Sequence, residues 1–141
     1  MTADEERLLR RAIELAVNAR AAGEAPFGSL LADGGGRILA EEHNTVLSDG
    51  DISAHPELKL ARWAARHLSA DVAAGVTMYT SCQPCGMCTG AIERSGLGRV
   101  VYALSGEQLG ALRTGGGFAP VPQEGPLLYA EARVAVDGYY T

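Results

Sequence analysis

Leu8, Leu9, Ala12, Ile13, Leu15, Ala16 and Ala19 recur at helical spacing among charged residues through positions 5–22, and Gly23 ends the run, so the chain is expected to open with an amphipathic helix. Pro26-Phe27-Gly28 then leads into an apolar strand through about Ala32. The tetrapeptide Asp33-Gly34-Gly35-Gly36 suits a hairpin turn, because glycine and Asp-Gly tolerate positive φ, and residues 37–44 read as the returning antiparallel strand. A second helix is expected over 55–68, with Ser53 marking its start and Pro56 in its first turn, where a missing N–H costs nothing. After a polar connection, 76–81 is a short apolar strand, a third helix runs from near Pro84 to Gly96, and 99–104 is a further strand. This alternation predicts an α/β layer structure, with a sheet of mixed direction because it begins with a hairpin. The glycine-rich stretch 113–126 is the only long irregular segment. No internal repeat or linker divides the chain, so residues 1–141 are expected to form a single domain with a tail over about 113–141.

Composition narrows what such a domain does. A chain of 141 residues is long enough to bury about two-thirds of its unfolded surface without covalent staples. The N-terminal stretch alternates in charge and no run of about 18 apolar residues occurs, so neither a leader peptide nor a membrane span is expected and the location is expected to be cytoplasmic. In a reducing compartment, three cysteines at positions 82, 85 and 88 point to metal or redox chemistry rather than to a disulfide. A ferredoxin-type cluster is excluded by spacing, since the fourth cysteine would have to stand where Ile92 does.

Cys85 and Cys88 fall on the first turn of the third helix, where residues three apart point the same way and the helix N-terminus favours thiolate. A site with only these thiolates needs a further histidine or carboxylate ligand. His55 opens the second helix and Glu57 follows two residues later. His43 and His67 have no ligand-type spacing around them and read as structural. Cys82 lies three residues earlier, on the strand, and is expected to be buried and inert. The glycine runs at 34–36 and 115–117 do not join a strand to a helix and are not phosphate cradles. The charges on the first helix read as a solvated face.

His-x-Glu followed by Pro-Cys-x-x-Cys is the pattern of zinc deaminases. With 25-APFGSLL-31, Asn44, 54-AHPEL-58, 80-TSCQPCGMCTGAI-92 and 98-GRVVYA-103, the chain resembles the cytidine deaminase-like superfamily over residues 3–112, in the branch with guanine deaminases and bacterial tRNA adenosine deaminases. That resemblance implies a three-layer α/β/α sandwich around a mixed five-stranded sheet. It also implies one Zn2+ per chain on His55, Cys85 and Cys88, three ligands that leave a fourth position for water. Glu57 would be the catalytic acid/base. Asn44 would hydrogen-bond the substrate through both donor and acceptor, and Phe27 would pack against the ring or the pocket wall.

The reaction implied is hydrolytic release of ammonia from a small amino-heterocycle: a free nucleobase such as guanine, or cytosine, aminopyrimidine or aminotriazine analogues. Nucleoside or nucleotide deamination is the nearest alternative. A tRNA adenosine deaminase must hold a polyanion, whereas this chain has net charge −5 and a single lysine, so no nucleic-acid partner is expected. A structural zinc in an interaction domain would have no use for Glu57. His-Pro-Glu and Gln83-Pro84-Cys85 depart from the usual His-Ala-Glu and Glu-Pro-Cys without touching ligands. Glu93 and Arg94 stand where guanine deaminases carry aromatics. The tail 127–141 resembles an extended segment that stops where the family's last helix begins, and Tyr139 and Tyr140 are expected to cap a pocket, their own or a neighbour's in a homodimer.

Overall fold

The computed structural model describes residues 1–141. Helix α1 spans Ala3–Ala21 and is started by a capping box: the Glu5 N–H donates to the Thr2 hydroxyl while the Thr2 N–H donates to the Glu5 carboxylate. Strands β1 (Gly28–Ala32) and β2 (Ile38–His43) pair antiparallel. Asp33 fastens the turn between them, its Oδ1 accepting from the N–H groups of Gly35 and Arg37, both at 3.0 Å. Gly36 closes that turn at φ 82°, a conformation that a side chain would strain. A short α2 (Val46–Asp49) and then α3 (Pro56–His67) and α4 (Ala70–Ala74) lead to β3 (Thr77–Cys82). After β3 come α5 (Gly86–Ser95), β4 (Arg99–Leu104), α6 (Gly106–Leu112) and α7 (Tyr129–Val134).

The sheet has the order β2-β1-β3-β4, antiparallel except for the β3/β4 pair, whose parallel sense is permitted by the crossover through α5. All five β1 residues are buried, because both faces of this strand are covered. Leu30 and Ala32 pack with Leu8, Ala12 and Tyr79 under α1, while Leu31, on the opposite face, joins Leu60, Ala61, Ala64, Val76, Met78 and Ile92 beneath α3 and α5. This is the expected three-layer α/β/α sandwich.

Three expectations are corrected. The sheet has four strands, not five. Beyond β4 the chain enters α6 through a second capping box, Ser105 with Gln108, and the stretch after it carries Gly115, Gly116, Gly117 and Gly125 at positive φ together with Pro120, Pro122 and Pro126, residues unsuited to a ladder. Ser53 does not cap α3: its N–H and hydroxyl both donate to Asp51, and His55 takes the N-cap position with Pro56 in the first turn. The tail is not extended before Thr141 but forms α7 within itself, and every residue from Gly110 to Thr141 is exposed.

Candidate metal centre and adjoining cavity

The N-termini of α3 and α5 meet beside the carboxyl end of β3, which ends at Cys82. His55 is the N-cap of α3, Cys85 is the N-cap of α5, and Cys88 lies in the first turn of α5. His55 Nδ1 stands 3.5 Å from Cys88 Sγ and 3.7 Å from Cys85 Sγ. The three donor atoms all lie within 4.8 Å of one another. Zinc bonds of ~2.3 Å to sulfur and ~2.05 Å to nitrogen at a tetrahedral angle place the two atoms about 3.6 Å apart. The observed spacings straddle that value, so the three residues are positioned to hold one metal ion and the donor set suits zinc. Cys88 is fully buried, and burial pushes its thiol up, with the Glu57 and Cys85 charges adding to the effect. A pair of thiols beside a buried carboxylate calls for a cation, which deprotonates coordinating thiols outright.

Glu57 lies in the first turn of α3, two residues after His55, and is 6% exposed. Burial raises its carboxyl above the ordinary range, opposed by its backbone hydrogen bond and the nearby His55. Ser29 Oγ lies 3.3 Å from Glu57 Oε1 and 2.7 Å from Thr80 Oγ1, and its one O–H can donate to either. These residues come from adjacent strands, at the pair Ser29↔Thr80 of the β1/β3 ladder.

Asn44, just past β2, is 3% exposed. Its Oδ1 accepts from the Val46 N–H at 2.9 Å and its own N–H donates to the Phe27 carbonyl at 3.0 Å. The side-chain NH2 is free, and Oδ1 keeps a second lone pair, so the amide still carries both a donor and an acceptor. Lys59 of α3 braces the same loop, donating to the His43 carbonyl at 2.8 Å and to Thr45 Oγ1 at 3.0 Å.

Phe27, Asn44, His55, Glu57, Cys82 and Cys85 all face one cavity of about 90 Å3, closed by Pro56, Gln83, Leu109 and Arg113. A second cavity of about 600 Å3 adjoins it through shared walls. Glu93, Arg94, Tyr139 and Tyr140 line neither. Both tyrosines are exposed and stack edge-on against each other, and Arg94 donates to the Gly90 carbonyl of its own helix. Cys82 is buried as expected, yet it forms part of the cavity wall, and burial raises its thiol. Thr80 and Cys82 share a face of β3 by the period of two, a signal the sequence held. His43 and His67 stay apart from the centre, His67 lying against Trp63.

Residues 2–104 match the family described as the cytidine and deoxycytidylate deaminase zinc-binding region. The chain is 35% identical over 108 residues to a tRNA-specific adenosine deaminase of Haemophilus influenzae, covering 77% of this chain and 62% of that protein. It is 36% identical over 115 residues to a probable cytosine deaminase of Schizosaccharomyces pombe, covering 79% and 67%. To the guanine deaminase of Bacillus subtilis it is 40% identical over 103 residues, covering 71% and 64%. The chain therefore spans less than two thirds of the first and the third of these relatives. The solved structure of the Bacillus guanine deaminase superposes with a TM-score of 0.77 at 27% identity, over 99% of this chain and 94% of that one, so the two share one fold.

Proposed function

Because the chain belongs to the zinc-binding cytidine and deoxycytidylate deaminase family, we propose that it is a zinc-dependent hydrolase that removes ammonia from a small amino-heterocycle. The observation that carries this reading is the buried Glu57 carboxyl beside three convergent metal donors in a cavity of about 90 Å3. A structural metal would need neither the carboxylate nor the cavity.

When bound by His55, Cys85 and Cys88, zinc lowers the pKa of a water toward neutrality and so supplies a nucleophile at pH 7. Glu57 accepts one proton from the water and passes it to the ring nitrogen, then takes the second proton from the added hydroxyl and passes it to the departing amine. Water adds its oxygen to the ring carbon, the carbon–nitrogen bond breaks, and ammonia leaves. A carboxyl raised by burial suits this work, since an acid/base serves best when its pKa approaches the working pH. The Asn44 NH2 donates to a ring acceptor and Phe27 supplies a flat wall.

The substrate is a free base, guanine first and cytosine or its aminopyrimidine and aminotriazine analogues next. The likeness to guanine and cytosine deaminases supports this, and the net charge of −5 with one lysine argues against a tRNA partner. The protein works in the cytoplasm, where its three free cysteines stay reduced, and no helix is long and apolar enough to cross a membrane. It acts as a homodimer of one-domain chains, in which a second copy covers the exposed Phe118, Leu127, Leu128, Val134 and Tyr140 of the tail.

Ammonia release from guanine, cytosine, adenine, triazines and their nucleosides, beside a tRNA deamination assay, tests the reading. Release from a free base is expected, and Glu57→Gln should keep zinc while losing about a hundredfold or more of the rate. Efficient inosine formation in tRNA or a strict ribose requirement would overturn the substrate class. Unchanged turnover in Glu57→Gln would overturn the mechanism.

A further inference from the structure

The cavity beside Glu57 encloses about 90 Å3, less than the roughly 150 Å3 of an engineered cavity that takes up benzene. Only the reacting edge of a heterocycle fits inside it. The rest of the ring must project into the adjoining cavity of about 600 Å3. His55, Gln83, Cys85, Leu109 and Arg113 line both spaces and so mark the threshold that the ring crosses. His55 and Cys85 are committed to the metal and Leu109 is apolar. Gln83 spends its Oε1 on the Gly106 N–H at 2.9 Å, which leaves only a neutral NH2 as donor, weaker than a charged fork. Arg113 makes no side-chain hydrogen bond or ion pair, and it is the one arginine that lines either cavity.

Helix α6 fixes where Arg113 stands. Its first turn is held by the Ser105–Gln108 capping box and by the Gly106–Gln83 bond to the segment that carries Cys85. Its last turn closes with the Arg113 N–H donating to the Leu109 carbonyl at 3.1 Å. Leu109 and Arg113, four residues apart, share one helix face, and that face looks into both cavities.

We infer that Arg113 is the specificity-determining residue that reads the outer edge of the substrate, donating to a ring oxo group and so selecting amino-oxo heterocycles over oxo-free ones. This rests on the deaminase reading above. In guanine and in cytosine the amino-bearing and oxo-bearing carbons flank a single ring nitrogen. With the amino carbon against Glu57 and His55, the oxo group lies toward the threshold. A guanidinium has five donors and no acceptor, and its fork matches acceptor edges such as guanine O6 and N7. Adenine and 2-aminopurine carry no oxo group to receive it, so the donors go unpaired when those bases bind. A phosphate would also accept from Arg113, but Ile52, Met87, Leu109 and Phe118 around the outer space are apolar, surroundings that suit a neutral flat ring.

The test compares wild type, Arg113→Met and Arg113→Lys on guanine against 2-aminopurine, on cytosine against 4-aminopyrimidine, and on the matching 5′-monophosphates. In Arg113→Met the oxo to oxo-free ratio of kcat/KM should fall by roughly tenfold to a hundredfold, as for loss of a hydrogen bond to a charged group, mostly through KM. Arg113→Lys should recover part of it, and zinc content and Tm should stay at wild-type values. An unchanged ratio, with the bases still deaminated, overturns the role of Arg113 and leaves the deaminase reading standing. Preference for the monophosphates that Arg113→Met abolishes overturns it in favour of anion capture. Wild type inert on every base, with zinc bound, overturns the deaminase reading and this inference together.

Discussion

Gly28→Ala should separate the helix layer from the sheet at a point that the site depends on. A Cβ built at Gly28 would stand 2.5 Å from Leu15 Cβ, 2.6 Å from Ala16 N and 2.7 Å from Ala12 O. Ordinary carbon contacts are ~3.5–4.0 Å, so α1 must recede by about 1 Å, a gap that forfeits a quarter to a half of each dispersion contact along the seam. Two of the three atoms are backbone and cannot rotate away. Gly28 is not at positive φ, so the whole effect is steric. Overpacking of this kind costs about 1–3 kcal/mol, and with fixed backbone opposite we expect the upper end, or a Tm lower by about 10 °C for a domain of this size. Gly34→Ala, where nothing lies within 4 Å, is the control and should shift Tm by less than about 2 °C. Because Gly28 joins Phe27 to Ser29 and donates its N–H to Ser81 Oγ at 3.1 Å, the recession also moves the cavity wall, so deamination should fall well below the Tm while zinc stays bound. Thermal unfolding of the two variants decides the matter. Indistinguishable Tm values for Gly28→Ala and wild type would refute the close approach of α1 to β1.

Elemental analysis should show substantial zinc loss in Cys85→Ser and in His55→Ala and full retention in Cys82→Ser, which lines the cavity without joining the donor set; full zinc occupancy in a variant lacking both Cys85 and Cys88 would rule out the centre. Arg11 grips Glu41 through two bonds of 2.6 and 3.1 Å, tying α1 to β2, and that hydrogen bonding holds the Glu41 carboxyl below the ordinary carboxylate range. A depressed folded pKa gives stability that is present above about pH 4 to 5 and lost as pH falls through the lowered value. With both side chains about a third exposed, Glu41→Gln should cost only about 0.2–1 kcal/mol near neutrality, and the two unfolding curves should converge in acid. A gap that widens below pH 4 would contradict the assignment.

The elements readable from the sequence are those whose pattern runs long enough to repeat. Helix α1 follows its apolar spacing to within two residues at each end, and β1, β2, α3, β3, α5 and β4 stand where alternation, apolar runs and helix-start residues put them. Helices α2, α4 and α7 have four, five and six residues, too few for two turns of periodicity. Helix α6 was not expected, although Ser105-x-x-Gln108 is a capping-box sequence that marks its start. The fifth strand came from family likeness and never from a run of apolar residues in this chain.

The centre was legible for a different reason: metal geometry dictates spacing within the chain. Two donors three residues apart on one helix end and a histidine capping another can be found by chemistry alone, because each is tied to a local turn. Leu109 and Arg113 are not tied in this way. Their place at the threshold depends on how α6 leaves β4 and on the Gly106–Gln83 bond across 23 residues of sequence, a tertiary fact that no window contains. The same division explains the electrostatics. Helix N-termini at α3 and α5 favour the thiolates locally, yet Cys88 is pushed the other way by burial and by Glu57, which reaches it only because two helices converge. Local sequence thus marks the ligands, whereas their protonation is set by packing. A divalent cation reconciles the two, since it gives back to the buried sulfur the charge stabilisation that burial removed.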